Sequence, residues 1–136
     1  EELIEIAEKT TKKHDSLSIE PLETETIKEM KNLVLDVCVA DYLMKYMAEI
    51  VSSTHPEIIS SPSIVKKYVK YGCSPRGLQA LTLGVKAKAL ANGRIHVAKE
   101  DIESVLDIAL SHRIIMTFEG DGDGITAQKI IDELKK

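Results

Sequence analysis

The sequence predicts an all-α helical bundle carrying one small two-stranded β element. The chain of 136 residues has one Phe, four Tyr and no Trp, so its core is aliphatic, which favours packed helices over a sandwich. Helix-start signals recur along it, each followed by apolar residues at helical spacing. Alternating β-branched residues, the mark of a strand, stand out only in DVCV at 36–39 and RIHV at 94–97. At this length one domain of ordinary size can bury a core without disulfides.

The first segment, EELIEIAEK, sets Leu3, Ile4 and Ala7 at helical spacing, and the polar stretch TTKKHDSLSIEPL after it reads as a linker. Thr26 with Glu29 three residues on has the capping-box pattern, and Ile27, Met30, Leu33 and Val34 mark one face of a second helix. DVCV is then a short strand. Asp41 is placed to cap a third helix with Leu43, Tyr46, Met47, Ile50 and Val51 on its buried face, ending near Ser52–Pro56. Ser61-Pro62 repeats the start signal, with proline at the first helical position and Gly72 as the stop.

Ser74-Pro75 repeats it again, which puts Arg76 in the first turn of the next helix. Leu78, Leu81 and Val85 line one face of that helix and Leu83, Ala87 and Leu90 another, so it reads as central. Asn92-Gly93 ends it, and RIHV is expected to pair with DVCV. Glu100 and Asp101 place negative charge in the following first turn, Ile102, Val105, Leu106, Ala109 and Leu110 keep the period, and His112 and Arg113 suit the negative end. After the apolar run IIMTF, EGDGDG reads as a loop. A last helix is capped by Thr126, with Ile125 and Ile130 as a staple and Ala127, Ile130, Ile131 and Leu134 facing inward.

Several function classes fall away. A net charge of −4 and a pI near 5.6 oppose broad attraction to a nucleic-acid backbone. Cys38 and Cys73 stand apart without a CxxC partner, which fits reduced thiols in a cytoplasmic protein better than a disulfide or a metal site. No apolar run reaches the length of a membrane span, and the chain opens on Glu1 without a signal-peptide pattern, as a piece of a larger protein would. DGDG at 121–124 fails as a calcium loop, since its fifth and sixth positions are Ile125 and Thr126. His14, His55, His96 and His112 lack the spacing of paired ligands on one helix face, and no GxxxxGK[ST] phosphate loop occurs. Cys73, ahead of a helix start, has no base near it in sequence and reads as a small packed residue. Lys86, Lys88 and Arg94 read as a solvated basic strip. Arg76 is harder to place, because a cation in a first turn faces the positive end of the helix dipole. It either reaches into solvent or is placed for an anion.

The run from Tyr71 to Phe118 resembles the C-terminal lid of MoxR-type AAA+ ATPases. It carries Gly72-Cys73-Ser74-Pro75-Arg76, an Ala-rich helix, Gly93-Arg94, Val97, Glu100-Asp101-Ile102 and His112-Arg113 in the family's order. The likeness extends upstream through DVCVADYLMKYMAEIV and so covers about residues 25–136. It departs at Cys73, where the family usually has alanine, at Ala98, where a Ser or Thr cap is common, and at STHP, which lacks the arginine often found after that threonine.

The resemblance implies an AAA+ lid-type bundle over 23–136, with 1–22 as a helix and linker from a nucleotide-binding core. It implies that Arg76, presented by Ser74 and Pro75, is the sensor 2 arginine that reaches the γ-phosphate of ATP, with magnesium held by the core. Arg113 serves either a phosphate or neighbouring subunit, or its own helix end. The implied partners are that core, neighbouring subunits of a ring and client proteins that the ATPase remodels or assembles, with no nucleic acid and no membrane span. Without a phosphate loop, this chain alone is expected to be inactive. Two rivals stand beside this reading. One is a stand-alone helical interaction module without a nucleotide role. The other is a helix-turn-helix DNA binder, which the acidic charge opposes.

Overall fold

The computed structural model describes residues 2–11 and 21–135; most of the expected linker, with His14, lies outside the described residues. Eight helices follow in order: α1 Glu2–Thr11, α2 Thr24–Asp36, α3 Asp41–Ser53, α4 Ser63–Tyr68, α5 Pro75–Ala91, α6 Lys99–Leu110, α7 Phe118–Gly122 and α8 Ala127–Leu134. Two short strands, β1 Val69–Tyr71 and β2 Ile115–Met116, form an antiparallel pair. The all-α bundle with one small β element is therefore the fold, although its strands lie elsewhere than the sequence predicts.

The central helix is α5, which packs against α6, α3 and α2. Leu81, Val85 and Ala89 bury its inner face with Leu43, Met47 and Ile50 of α3 and Ile102, Leu106 and Leu110 of α6. Gly84 allows the closest approach to α6, since a β-carbon there would lie 2.7 Å from Val105 Cγ1. The second expected apolar face is covered only in part: Leu90 is half-buried against the core, while Leu83 and Ala87 are exposed. From α8, Ile130 and Ile131 complete the core, and Thr126 caps that helix by accepting from the Lys129 amide at 3.4 Å.

Three predicted helix starts move. In α2 the flanking residue is Glu23 rather than Thr26, which lies inside the helix, so the expected capping box does not form. In α3 the flanking residue is Ala40, and Asp41 instead supplies negative charge within the first turn. In α4 Pro62 flanks the helix, while the Ser61 hydroxyl donates to the His55 carbonyl at 2.7 Å.

The β element also differs. Cys38 N–H donates to the Ile95 carbonyl and Val97 N–H to the Cys38 carbonyl, both at 3.0 Å, so DVCV and RIHV do meet. They do so as a single parallel bridge, because α2 already occupies Asp36 and α6 begins at Lys99. The sheet forms where α4 stops at Tyr68, four residues before Gly72, and the chain pairs with the IIMTF run. EGDGDG is not all loop: Thr117 accepts from the Gly120 amide at 3.1 Å and starts the short α7.

Candidate functional site

The N-terminus of α5 is assembled from its own turn at residues 73–77, the two residues that follow α3 and the end of α6. Ser74 flanks the helix with extended backbone (φ −68°, ψ 169°), Pro75 is its first residue and Arg76 its second, as the cap-plus-proline pattern predicts. The Ser74 hydroxyl makes no capping bond, but its carbonyl accepts from Gly77 N–H at 2.7 Å. Ser74, Pro75 and Arg76 are all exposed, whereas Cys73 and Gly77 on either side are buried.

Those two flanks fix the motif. Cys73 N–H donates to Thr54 Oγ1 at 2.8 Å, and the Cys73 carbonyl accepts from His55 Nε2 at 2.9 Å. Burial pushes the Cys73 thiol up, against weaker opposing effects of Thr54 and the Arg113 charge, so the thiol is a packed group rather than a nucleophile. On the other side, a β-carbon on Gly77 would lie 3.1 Å from Cys73 Cβ and 3.4 Å from Leu110 Cδ2. The start of α5 is thus pressed onto the end of α6.

The chain has three arginines, and two are committed within the fold. Arg94 grips Asp101 with both terminal guanidinium nitrogens, at 2.7 and 2.6 Å, so it does not belong to a solvated basic strip. Arg113 Nε donates to the Ala109 carbonyl at 3.0 Å, a contact with its own helix end, which is one of the two roles open to it. Among the described residues no carboxylate lies within ion-pair reach of Arg76.

Sequence reasoning missed the Arg94–Asp101 pair and the Thr54–His55 grip on Cys73. Asp101 offered a signal: it is the third residue of a helix whose flanking residue, Ala98, has no oxygen to cap it. Its carboxylate reaches back to accept from Ala98 N–H at 2.9 Å. The Arg94 guanidinium holds the Asp101 carboxyl below the usual carboxylate range, with the Ala98 bond adding to the effect against the opposing cost of burial. For Thr54 and His55, separated from Cys73 by a turn, a helix and a strand, no local signal exists. Among the described residues no cluster of three or more His, Cys, Asp or Glu is placed to hold a metal ion, and no helix is long and apolar enough to cross a membrane.

Residues 61–134, which hold the whole α5 terminus, match the family described as the AAA lid domain. The chain belongs to that family. Over 113 residues the lid domain is 25% identical to the chaperone MoxR1 of Mycobacterium tuberculosis, covering 83% of this chain and 30% of that protein. It is 33% identical over 122 residues to the uncharacterized protein YeaC of Bacillus subtilis, covering 85% of this chain and 35% of that one. A crystal structure of a candidate ATPase from Cytophaga hutchinsonii superposes with a TM-score of 0.85 at 27% identity, over 97% of this chain and 40% of the other. The match to the AAA lid family is thus joined by a likeness to a MoxR chaperone and to a candidate ATPase. The chain spans about a third of the length of the curated relatives it matches.

Proposed function

We propose that this lid supplies Arg76 to the γ-phosphate of ATP bound by a nucleotide-binding core of the same protein. One observation carries the reading: Arg76 is the only one of the three arginines that the described fold leaves uncommitted, and it stands exposed at a helix terminus whose backbone amides also favour an anion. A guanidinium there can make charge-assisted bonds to phosphate oxygens and stabilise charge as the phosphoryl group leaves. Ser74 and Pro75 serve by setting the helix start. ATP is the ligand, and magnesium belongs to the core.

In this reading residues 23–136 are the lid, and 1–22 lead in from the core. Nucleotide state moves the lid against the core and against neighbouring subunits of a ring, and that motion drives chaperone-like remodelling or assembly of client proteins in the cytoplasm. The family match and the MoxR1 likeness support this assignment.

The test is Arg76→Ala in the full-length protein. The side chain is exposed, so the melting temperature changes little, as for most surface substitutions. ATP turnover falls steeply, with about a thousandfold as the scale for an arginine on a transferring phosphoryl group. Arg76→Lys recovers only part, because a point charge replaces a planar fork. A normal turnover rate at a normal melting temperature would leave the stand-alone interaction module as the better reading.

A further inference from the structure

We propose that Thr54 and His55, at the end of α3, are positioning residues for Arg76. They hold the one residue, Cys73, from which the Ser-Pro-Arg turn departs. The grip is complete at backbone level: Thr54 Oγ1 takes the Cys73 N–H at 2.8 Å, and His55 Nε2 donates to the Cys73 carbonyl at 2.9 Å. Each holder is itself fixed. The Thr54 hydroxyl donates to the Val51 carbonyl at 2.6 Å, and the His55 carbonyl accepts from the Ser61 hydroxyl at 2.7 Å. Glu57 lies 3.3 Å from the other ring nitrogen, Nδ1. Thr54 is also pressed so closely against Gly72 that a β-carbon there would come within 2.7 Å of its backbone.

With both backbone polar groups of Cys73 held by the two residues that follow α3, the direction in which α5 leaves is tied to the end of that helix. Pro75 fixes its own φ and restricts Ser74 before it to extended backbone, which limits the freedom between the His55 ring and the Arg76 α-carbon. His55 stands where the resemblance leads one to expect arginine, and its ring nitrogen reaches the Cys73 carbonyl from a half-buried position.

The inference rests on the reading of Arg76 given above, and a double-mutant cycle in the full-length protein separates the two. His55→Ala is expected to lower kcat about tenfold to a hundredfold, the scale of a misplacement of about 1 Å, with an unchanged melting temperature. His55→Gln, whose amide N–H can still reach the Cys73 carbonyl, should restore most of the rate. In an Arg76→Ala background, adding His55→Ala should change turnover by less than about twofold, because the group it positions is gone. If His55→Ala melts early, His55→Asn replaces it, being too short to reach the carbonyl. A loss with Arg76→Ala but a normal rate with His55→Ala overturns this inference and leaves the Arg76 reading standing, as does a His55 effect of undiminished size in the Arg76→Ala background. A normal rate with Arg76→Ala overturns both.

Discussion

Arg76 and Arg94 carry the same guanidinium, and their surroundings give them opposite roles. Arg94 is 30% exposed against an Asp101 that is 2% exposed, in a fork-to-carboxylate geometry that an ammonium cannot reproduce. Removing Arg94 would leave a buried carboxylate without its cationic partner, so Arg94→Ala should lower the melting temperature by several degrees and Arg94→Lys by less. The pair also predicts a pH dependence. Because the Asp101 carboxyl is held below its ordinary range, chiefly by Arg94, its contribution is fully present above the unfolded value of about 4 and is lost as pH falls through the lower folded value. Thermal unfolding of wild type and Asp101→Asn should therefore differ most near neutral pH, with the gap closing below about pH 4. A gap that is the same in acid as at neutrality would mean that the charge on Asp101 is not what Arg94 holds.

Elements were legible in the sequence where the signal is local. The start of α5 at Pro75, its end at Asn92-Gly93 with Gly93 at φ +73°, the acidic first turn of α6 and the Thr126 cap of α8 all rest on residues within one turn of each other, and all are present. Those residues also made Arg76 readable as a first-turn cation. The signals that shifted were side-chain caps at Thr26, Asp41 and Ser61. Helix boundaries shift by a residue or two from what a cap signal marks; Asp41 still serves its first turn through its charge, while the Ser61 hydroxyl bonds the His55 carbonyl instead. The sheet was not legible, because Val69 continues the helical spacing of Val65 and only its partner Met116, far along the chain, makes it a strand. The grip on Cys73 was hidden for the same reason. It implies that Gly72→Ala, at a position that needs space rather than an unusual backbone angle, forces the methyl against Thr54 backbone atoms at 2.7 Å. We expect a loss of about 1–3 kcal/mol, the usual cost of overpacking, read as a lower denaturation midpoint with an unchanged slope.

At the scale of the whole molecule, the buried aliphatic residues of α3–α6 and α8 belong to one cluster, whereas the chemistry proposed for Arg76 needs groups that this sequence does not contain. A GxxxxGK[ST] phosphate loop is absent from all 136 residues, and a single exposed arginine has no second group with which to enclose a nucleotide. The chain by itself should therefore fold cooperatively, give a helical circular dichroism spectrum and turn over no ATP. A ligand that binds only the folded state raises stability by RT ln(1 + [L]/Kd), about 2.7 kcal/mol at a hundredfold excess over Kd. Millimolar ATP with magnesium should leave the melting temperature of the isolated chain where it was, while the full-length protein shifts upward under the same conditions. The same titration with duplex DNA at low salt should also leave it unmoved, since a net charge of −4 opposes broad attraction to the DNA backbone. An ATP-dependent rise in the isolated chain, or turnover that survives removal of contaminating ATPases, would mean that the lid holds a nucleotide site of its own and that Arg76 acts there rather than across a domain boundary.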